Sequence, residues 1–179
     1  ESICLNSTDT DLVALLRRIR RHPAVPIHGP EHHAIVPAIV VTAYRNAGGD
    51  ISDERIKTAV RRGATVPGGS CAFLGICGAA TGVGTGFSLI LGSNPLKGRE
   101  RQLVQKATAE ALGQISGLKA PRCCQRDCWI ALQVAADLSA QMLPITLEAT
   151  GKFECEQMDE NAECIGSACP LWPSSVRGG

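Results

Sequence analysis

The chain has 179 residues, which is long enough for one domain with a sizeable apolar core. Its formal net charge of +1 excludes a broadly basic nucleic-acid-binding surface, and no stretch reaches the ~20 apolar residues that a membrane span requires. Aromatic residues make up only 3% of the chain, so the core must consist of Ala, Val, Ile and Leu, which favours close helix packing over a β-sandwich.

Apolar side chains recur at helical spacing in five segments, and capping residues, glycines and prolines mark their ends. In the first segment Leu12, Leu15, Leu16 and Ile19 share one face, and Pro23 stops the helix. The predicted helices cover residues 9–21, 30–47, 52–63, 99–116 and 127–142.

Two local features bear on these helices. The run Arg17-Arg18-Ile19-Arg20-Arg21 is interpreted as a solvated helix face and last turn, where positive charge suits the helix dipole. Pro37 lies inside the second predicted helix and is expected to kink it or end its first segment.

The end of the chain has a different character. Residues 150–179 are polar, rich in turn-forming residues and carry three cysteines, so apolar burial cannot order them. A short strand is predicted at 145–147. The sequence therefore predicts an all-α fold, a multi-helix orthogonal bundle over residues 1–150, with 151–179 as a cysteine-rich, irregular C-terminal lobe packed on the same domain.

Nine cysteines narrow the class of protein. Their odd number, the adjacent pair Cys123-Cys124 and the lack of a secretory signal argue against a secreted disulfide scaffold and predict a cytoplasmic protein. Thiols at this density in a reducing compartment bind metal, perform redox chemistry or lie buried, as we expect for Cys4. The chain begins at Glu1 without Met, so an upstream piece that was removed is also expected.

The C-terminal cysteines predict a metal site. Cys155, Cys164 and Cys169 lie within fifteen residues of a segment that has little else to order it, and thiolate–metal bonds supply folding free energy directly. Pro170 follows Cys169, as in some iron–sulfur motifs. The fourth ligand is open among Cys123, Cys124, Cys128 and a histidine, and we assign Cys123.

Two further cysteine segments are candidates for cofactor binding. Cys124 precedes a predicted helix beside Arg122 and Arg126, which should lower the pKa of its thiol, whereas Cys128 is expected to face the core. Cys71 and Cys77 flank a glycine-rich segment with two interpretations: a small-residue helix packed in the core, or an opening that exposes thiolates to a ligand.

A histidine cluster supplies the candidate catalytic groups. His28, His32 and His33 fall within six residues, in a loop framed by prolines. Near a helix N-terminus the charged form of imidazole is disfavoured, so these side chains should be available as bases or ligands. Glu31 is placed to orient one of them.

These motifs resemble an uncharacterised cysteine-rich domain of unknown function from anaerobic bacteria and archaea. The segments that carry the resemblance are residues 3–6, 22–23, 26–33, 69–72, 75–78 and 121–124, with Cys155, Cys164 and Cys169-Pro170. The resemblance implies an anaerobic, cytoplasmic setting and fusion to, or partnership with, radical-SAM or methyltransferase modules, often behind a zinc-ribbon-like segment that would precede Glu1. It favours iron–sulfur over zinc, leaves Cys128 outside the site and supplies no established reaction.

Two functions are therefore expected. The first is a redox or sulfur-transfer enzyme module that holds an iron–sulfur or other metal centre on Cys71, Cys77 and Cys124 and uses the histidines on a small-molecule substrate. The alternative is a non-catalytic accessory module, stabilised by zinc on the C-terminal thiols, that docks to a partner enzyme. A thiol redox protein is disfavoured because the chain has no Cys-x-x-Cys pair. The enzyme hypothesis requires the histidines, Cys71 and Cys77 to meet in one pocket.

Overall fold

Helix α3 (Ile35–Asn46) runs through the centre of the molecule, and every residue from Ile35 to Tyr44 is buried. The computed structural model describes residues 1–173. Pro37 lies in the first turn of α3, where its missing N–H costs no hydrogen bond. The segment predicted as one helix over 30–47 is divided, because a 3-10 turn at Pro30–Ala34 precedes α3. We call this turn the histidine turn, since it carries His32 and His33.

The other helices surround α3. Their bounds are α1 (Ser2–Asn6), α2 (Leu12–Arg20), α4 (Asp53–Gly63), α5 (Ser70–Phe73), α6 (Gly78–Leu91), α7 (Gly98–Ser116) and α8 (Cys124–Met142). The sequence correctly predicted a helix in the regions of α2, α4, α7 and α8, whereas α1 and α5 are additional.

The glycine-rich segment forms helix α6, which packs against α3 and α7 at close range. A Cβ at Gly82 would lie 2.8 Å from Pro37 Cδ, and a Cβ at Gly86 would lie 2.7 Å from Val40 Cγ1, so both positions require glycine. Of the two interpretations of this segment, the structure shows the small-residue helix packed in the core, with Cys77 at its N-cap.

The C-terminal lobe, residues 150–173, contains only a short 3-10 turn at Gly166–Ala168. Its ends meet where the N–H of Cys155 donates to the carbonyl of Leu171 at 2.8 Å. Residues 174–179 of the predicted lobe lie outside the described residues. The strand predicted at 145–147 is wrong: the neighbouring Glu148 forms a single isolated bridge with Asp11, too short a pairing for a strand.

The described part of the chain thus has eight α-helices and no strand, which confirms the all-α prediction. Within residues 1–173 no helix combines the length and the hydropathy needed to cross a membrane.

The close approach of α6 to α3 can be tested at one glycine. Gly86→Ala should lower the free energy of unfolding by about 1–3 kcal/mol, because the new methyl group overlaps Val40 in a packed core. Gly113→Ala on α7 is the control: nothing lies within 4 Å of its Cβ position, so the helix should gain about 0.5–1 kcal/mol. Denaturant unfolding measures both, and equal effects would contradict the packing.

Candidate functional site

A cavity of about 270 Å³ lies where the N-terminal ends of α6 and α8 meet the histidine turn and the loop before α6. We call it the thiol pocket, because four cysteines line it. Its chemically active lining residues are Cys71, Cys77, Cys124, Cys128, His32, His33, Asp127 and Arg122. The structure therefore brings together five of the residues singled out in the sequence, from three separate segments.

For the thiols of Cys77 and Cys124, burial has a larger effect on the pKa than the helix N-terminus has. It raises the pKa of Cys77 to about 11, even though the N–H groups of Ala79 and Ala80 at the start of α6 point to the sulfur and lower it. Burial also raises the pKa of Cys124 and outweighs the N–H of Gly29. The expected lowering of the Cys124 pKa is therefore wrong. The loss of water around the thiolate destabilises it by more than the helix end and Arg122 stabilise it.

His33 offers a free ring nitrogen to the pocket. Its Nδ1 lies 2.9 Å from the carbonyl oxygen of Val66, which can only accept, so Nδ1 carries the proton and Nε2 keeps its lone pair. The ring lies over the start of α6, where a Cβ at Gly78 would come within 2.1 Å of it. Glycine at position 78 therefore allows the imidazole into the pocket.

His32 has no free nitrogen. Arg20 donates to its Nε2 at 2.7 Å, and its Nδ1 faces the carbonyl of Gly29 at 3.3 Å. The side chain is 1% exposed, and burial together with the positive charge of Arg20 lowers its pKa to about 4. His32 is therefore a neutral residue that ties the histidine turn to α2.

His28 lies outside the thiol pocket and faces the C-terminal lobe. Its Nε2 is 2.9 Å from Asn161 Oδ1 and 3.7 Å from a carboxylate oxygen of Glu163. The acidic side chain beside a histidine is thus that of Glu163, whereas Glu31 was expected in this role. The three histidines do not act as one cluster, and only His33 presents a free nitrogen to the thiols.

The C-terminal thiols approach the start of α8. Cys169 lies within electrostatic range of Cys123, Cys155 and Cys164. Each of the four sulfurs accepts an N–H hydrogen bond. The donors are Gly166 N to Cys164 at 3.4 Å, Gln125 Nε2 to Cys155 at 3.5 Å, the N–H of Leu171 to Cys169 and the N–H of Arg126 to Cys123. Burial nevertheless raises the pKa of Cys123 to about 11. It also raises the pKa of Cys169.

Neither group of thiols forms a ready-made site for a single ion. Among residues 1–173 no group of three or more His, Cys, Asp or Glu side chains is placed so that it could hold a metal ion. The donors of the thiol pocket surround a cavity instead of meeting at one point. Their chemical type, thiolate with imidazole, still suits soft or borderline metals.

Sequence reasoning missed Asp127 and one part of the role of Cys128. Cys128 faces the core, as predicted, but it also lines the cavity one helical turn after Cys124, and the spacing of four residues could have indicated the shared face. Asp127 is 13% exposed, pairs with Arg126 at 3.1 Å and has a raised pKa because of its burial. Nothing in the sequence distinguishes it from a solvated aspartate of a first helical turn.

Comparison with known proteins agrees with the uncharacterised nature of the domain. The family model of DUF5714, a family of unknown function, matches residues 1–172. No curated protein and no solved structure matches the chain.

The buried neutral state of His32 predicts a pH dependence of stability. Its folded pKa of about 4 lies below the ordinary 6.5, so the unfolded chain binds the extra proton between these values. The free energy of unfolding should therefore be highest above pH 6.5 and fall by on the order of 3 kcal/mol as the pH drops to 4. His32→Gln should remove most of this slope in denaturant titrations, and His22→Gln, on the exposed loop, should not; an unchanged slope in His32→Gln would contradict the assignment.

Proposed function

We propose that this chain, which belongs to the DUF5714 family, binds an iron–sulfur cluster in the thiol pocket, with Cys71, Cys77 and Cys124 as its ligands. The observation that carries the proposal is the meeting of these three thiols and the free Nε2 of His33 around one cavity. The protein would then act as a redox or sulfur-transfer module of an anaerobic cytoplasm.

The arrangement of the donors favours a cluster over a single ion. A mononuclear metal needs its ligands about 2.0–2.3 Å from one point, and no such group is present in the described residues. A cluster has several iron atoms, so its cysteines stand apart around a shared volume. The thiols of the pocket line a cavity of about 270 Å³, which matches the spacing that a cluster needs better than that of a single ion.

The helix ends supply the charge that thiolates need. Cys77 precedes the fourteen-residue α6, and Cys124 begins the nineteen-residue α8, so the positive ends of both helix dipoles point at the pocket. Because burial raises the pKa of the Cys77 and Cys124 thiols, binding of iron must displace their protons. Metal affinity should therefore increase with pH.

The pocket also contains groups that can move a proton at a bound substrate. The cluster, when bound, supplies electron transfer or a reactive sulfur. His33 Nε2 can accept a proton, while Val66 holds its other nitrogen protonated. Asp127 lines the same cavity, where burial raises the pKa of its carboxyl against the opposing effect of Arg126, and it is the second candidate for proton transfer. His32 positions the turn and takes no proton near neutral pH.

A partner protein fits the surroundings of the pocket. Helix α5 carries Cys71, and at its end Phe73 is 85% and Leu74 60% exposed; such side chains are frequent at protein interfaces. This supports docking to a partner, for which the resemblance suggests a radical-SAM or methyltransferase protein.

The second candidate function is a zinc-stabilised accessory module. The observation that favours it is the N–H hydrogen bond accepted by each of Cys123, Cys155, Cys164 and Cys169, since such bonds stabilise metal-bound thiolates. These sulfurs would have to converge on the ion when it binds, because they do not form an ion site as they stand.

Reconstitution with ferrous iron and sulfide in the absence of oxygen tests the cluster. The wild-type chain should bind iron and sulfide and show broad visible absorbance that bleaches on reduction. Cys71→Ser, Cys77→Ser and Cys124→Ser should each lose at least half of the bound iron. Cys4→Ser is the control, because Cys4 is a buried cysteine that lies in the core beside α3 and outside the pocket. No bound iron in the wild type, or the same loss in Cys4→Ser, would contradict the proposal.

Zinc loading tests the accessory module, for which the lobe cysteines should matter and the cysteines of the thiol pocket should not. If the lobe holds zinc, the chain should bind about one ion, and a chelator should lower its unfolding midpoint. Cys164→Ser should then abolish zinc binding, while Cys71→Ser should leave it unchanged. Elemental analysis and denaturant unfolding of the two variants, side by side, separate the two functions.

A further inference from the structure

A second and larger cleft, of about 840 Å³, separates α2 from the C-terminal lobe. We call it the arginine groove. Its lining includes Arg17, Arg20 and Arg21 from the arginine run, together with Gln125 of α8 and Gln157 of the lobe. It shares no lining residue with the thiol pocket.

Arg20 is not the solvated side chain that the sequence predicted. Its guanidinium donates to Gln125 Oε1 at 3.3 Å, to the carbonyl of Pro26 at 2.7 Å, to His32 Nε2 at 2.7 Å and to Gln157 Oε1. All four acceptors are neutral. In residues 1–173 no carboxylate lies within ion-pair distance of Arg20, so a half-buried cation stands without an anion.

A buried charge without a counter-charge is costly, and burial accordingly lowers the pKa of Arg20. Arginine has five N–H donors. Among residues 1–173 the four hydrogen bonds leave one donor on Nη2 without an acceptor. Neutral groups therefore hold the Arg20 guanidinium in place, while one of its N–H donors and its positive charge remain available to a ligand.

Gln157 adds a second unused donor. Because arginine can only donate, the amide oxygen of Gln157 faces Arg20 and its Nε2 points away from the guanidinium. The residue is 7% exposed and lines the groove, yet this Nε2 has no hydrogen-bond partner among the described residues. A buried amide N–H without an acceptor is rare in folded proteins and indicates a missing acceptor.

The rim of the groove has both signs of charge. Arg17 donates to the backbone carbonyl of Lys152 at 3.4 Å, Arg21 pairs with Glu156, and both arginines lower the pKa of the Glu156 carboxyl. Glu154 and Glu160 also line the groove. The excess of positive charge is therefore at the inner wall, at Arg20, where the unused amide donor lies as well.

We propose that the arginine groove binds the oxyanion group, phosphoryl or carboxylate, of a small molecule. The anion supplies the acceptor that Gln157 Nε2 and the free Arg20 donor lack, and the counter-charge for the guanidinium. The volume of the cleft is that of a site for a small organic ligand, larger than one anion needs. Val25, Ile27 and Phe153 offer apolar contacts to the rest of that ligand.

Calorimetric titration at constant ionic strength tests this site, with inorganic phosphate and succinate as the two probes and chloride as the reference salt. At least one oxyanion should bind the wild-type chain saturably and raise its melting temperature, while chloride should not. The stronger probe identifies the group as phosphoryl or carboxylate. If neither oxyanion binds more strongly than chloride, the proposal is overturned.

Variants separate the groove from general charge attraction. Gln157→Leu keeps the net charge and should weaken binding about tenfold, because the amide donor is lost. Arg17→Gln should weaken it too, whereas Arg18→Gln is the matched control, since Arg18 faces Asp9 outside the groove. Equal losses in Arg17→Gln and Arg18→Gln, or no loss in Gln157→Leu, would overturn the site.

A last variant keeps the groove distinct from the proposed cluster. The double variant Cys71→Ser/Cys77→Ser alters the thiol pocket only and should bind the oxyanion as the wild type does. Loss of oxyanion binding in this variant would show that the anion occupies the thiol pocket and would overturn the assignment to the groove.

Discussion

The guanidinium of Arg20 is the interaction on which the arrangement of both clefts depends. It bonds to the loop after α2 through Pro26, to the histidine turn through His32, to α8 through Gln125 and to the lobe through Gln157. The lobe buries Leu171 and packs Phe153 against the core, and this polar network adds a second set of contacts at the junction. Because His32 is neutral, it can accept from Arg20 without repulsion between two cations.

The thiol pocket illustrates a balance between burial and local dipoles. Two helix ends and several backbone N–H groups point at the sulfurs, and in water these would favour thiolate. Burial dominates, so the thiols of Cys77, Cys124 and Cys128 have raised pKa values. These three thiols therefore keep their protons near neutral pH, but a cation can replace the protons, since the dipoles then act on thiolates whose charge is neutralised.

Close packing of helices positions this pocket. The glycines of α6 allow it to lie directly on α3, and Gly78 at its start admits the ring of His33. The N-terminus of α6 thereby reaches the side chains that begin α8. A larger residue at any of these glycines would move the helix end, and with it Cys77, away from the other thiols.

The sequence by itself determined the helical class, four of the main helices and the residue types of the candidate site, because apolar periodicity, capping residues and rare side chains are local properties. It also grouped Cys71, Cys77 and Cys124 with His28, His32 and His33 in one pocket, and all of these except His28 line the cavity. Only the tertiary structure decided which histidine presents a free nitrogen to the thiols, since the partners of His28 Nε2 and of His32 Nε2 come from the distant lobe and from α2. It likewise decided that the pKa values of Cys77, Cys124 and Cys128 are raised and that Arg20 is half-buried, because desolvation depends on elements remote in sequence that pack around a side chain, and no local pattern records them.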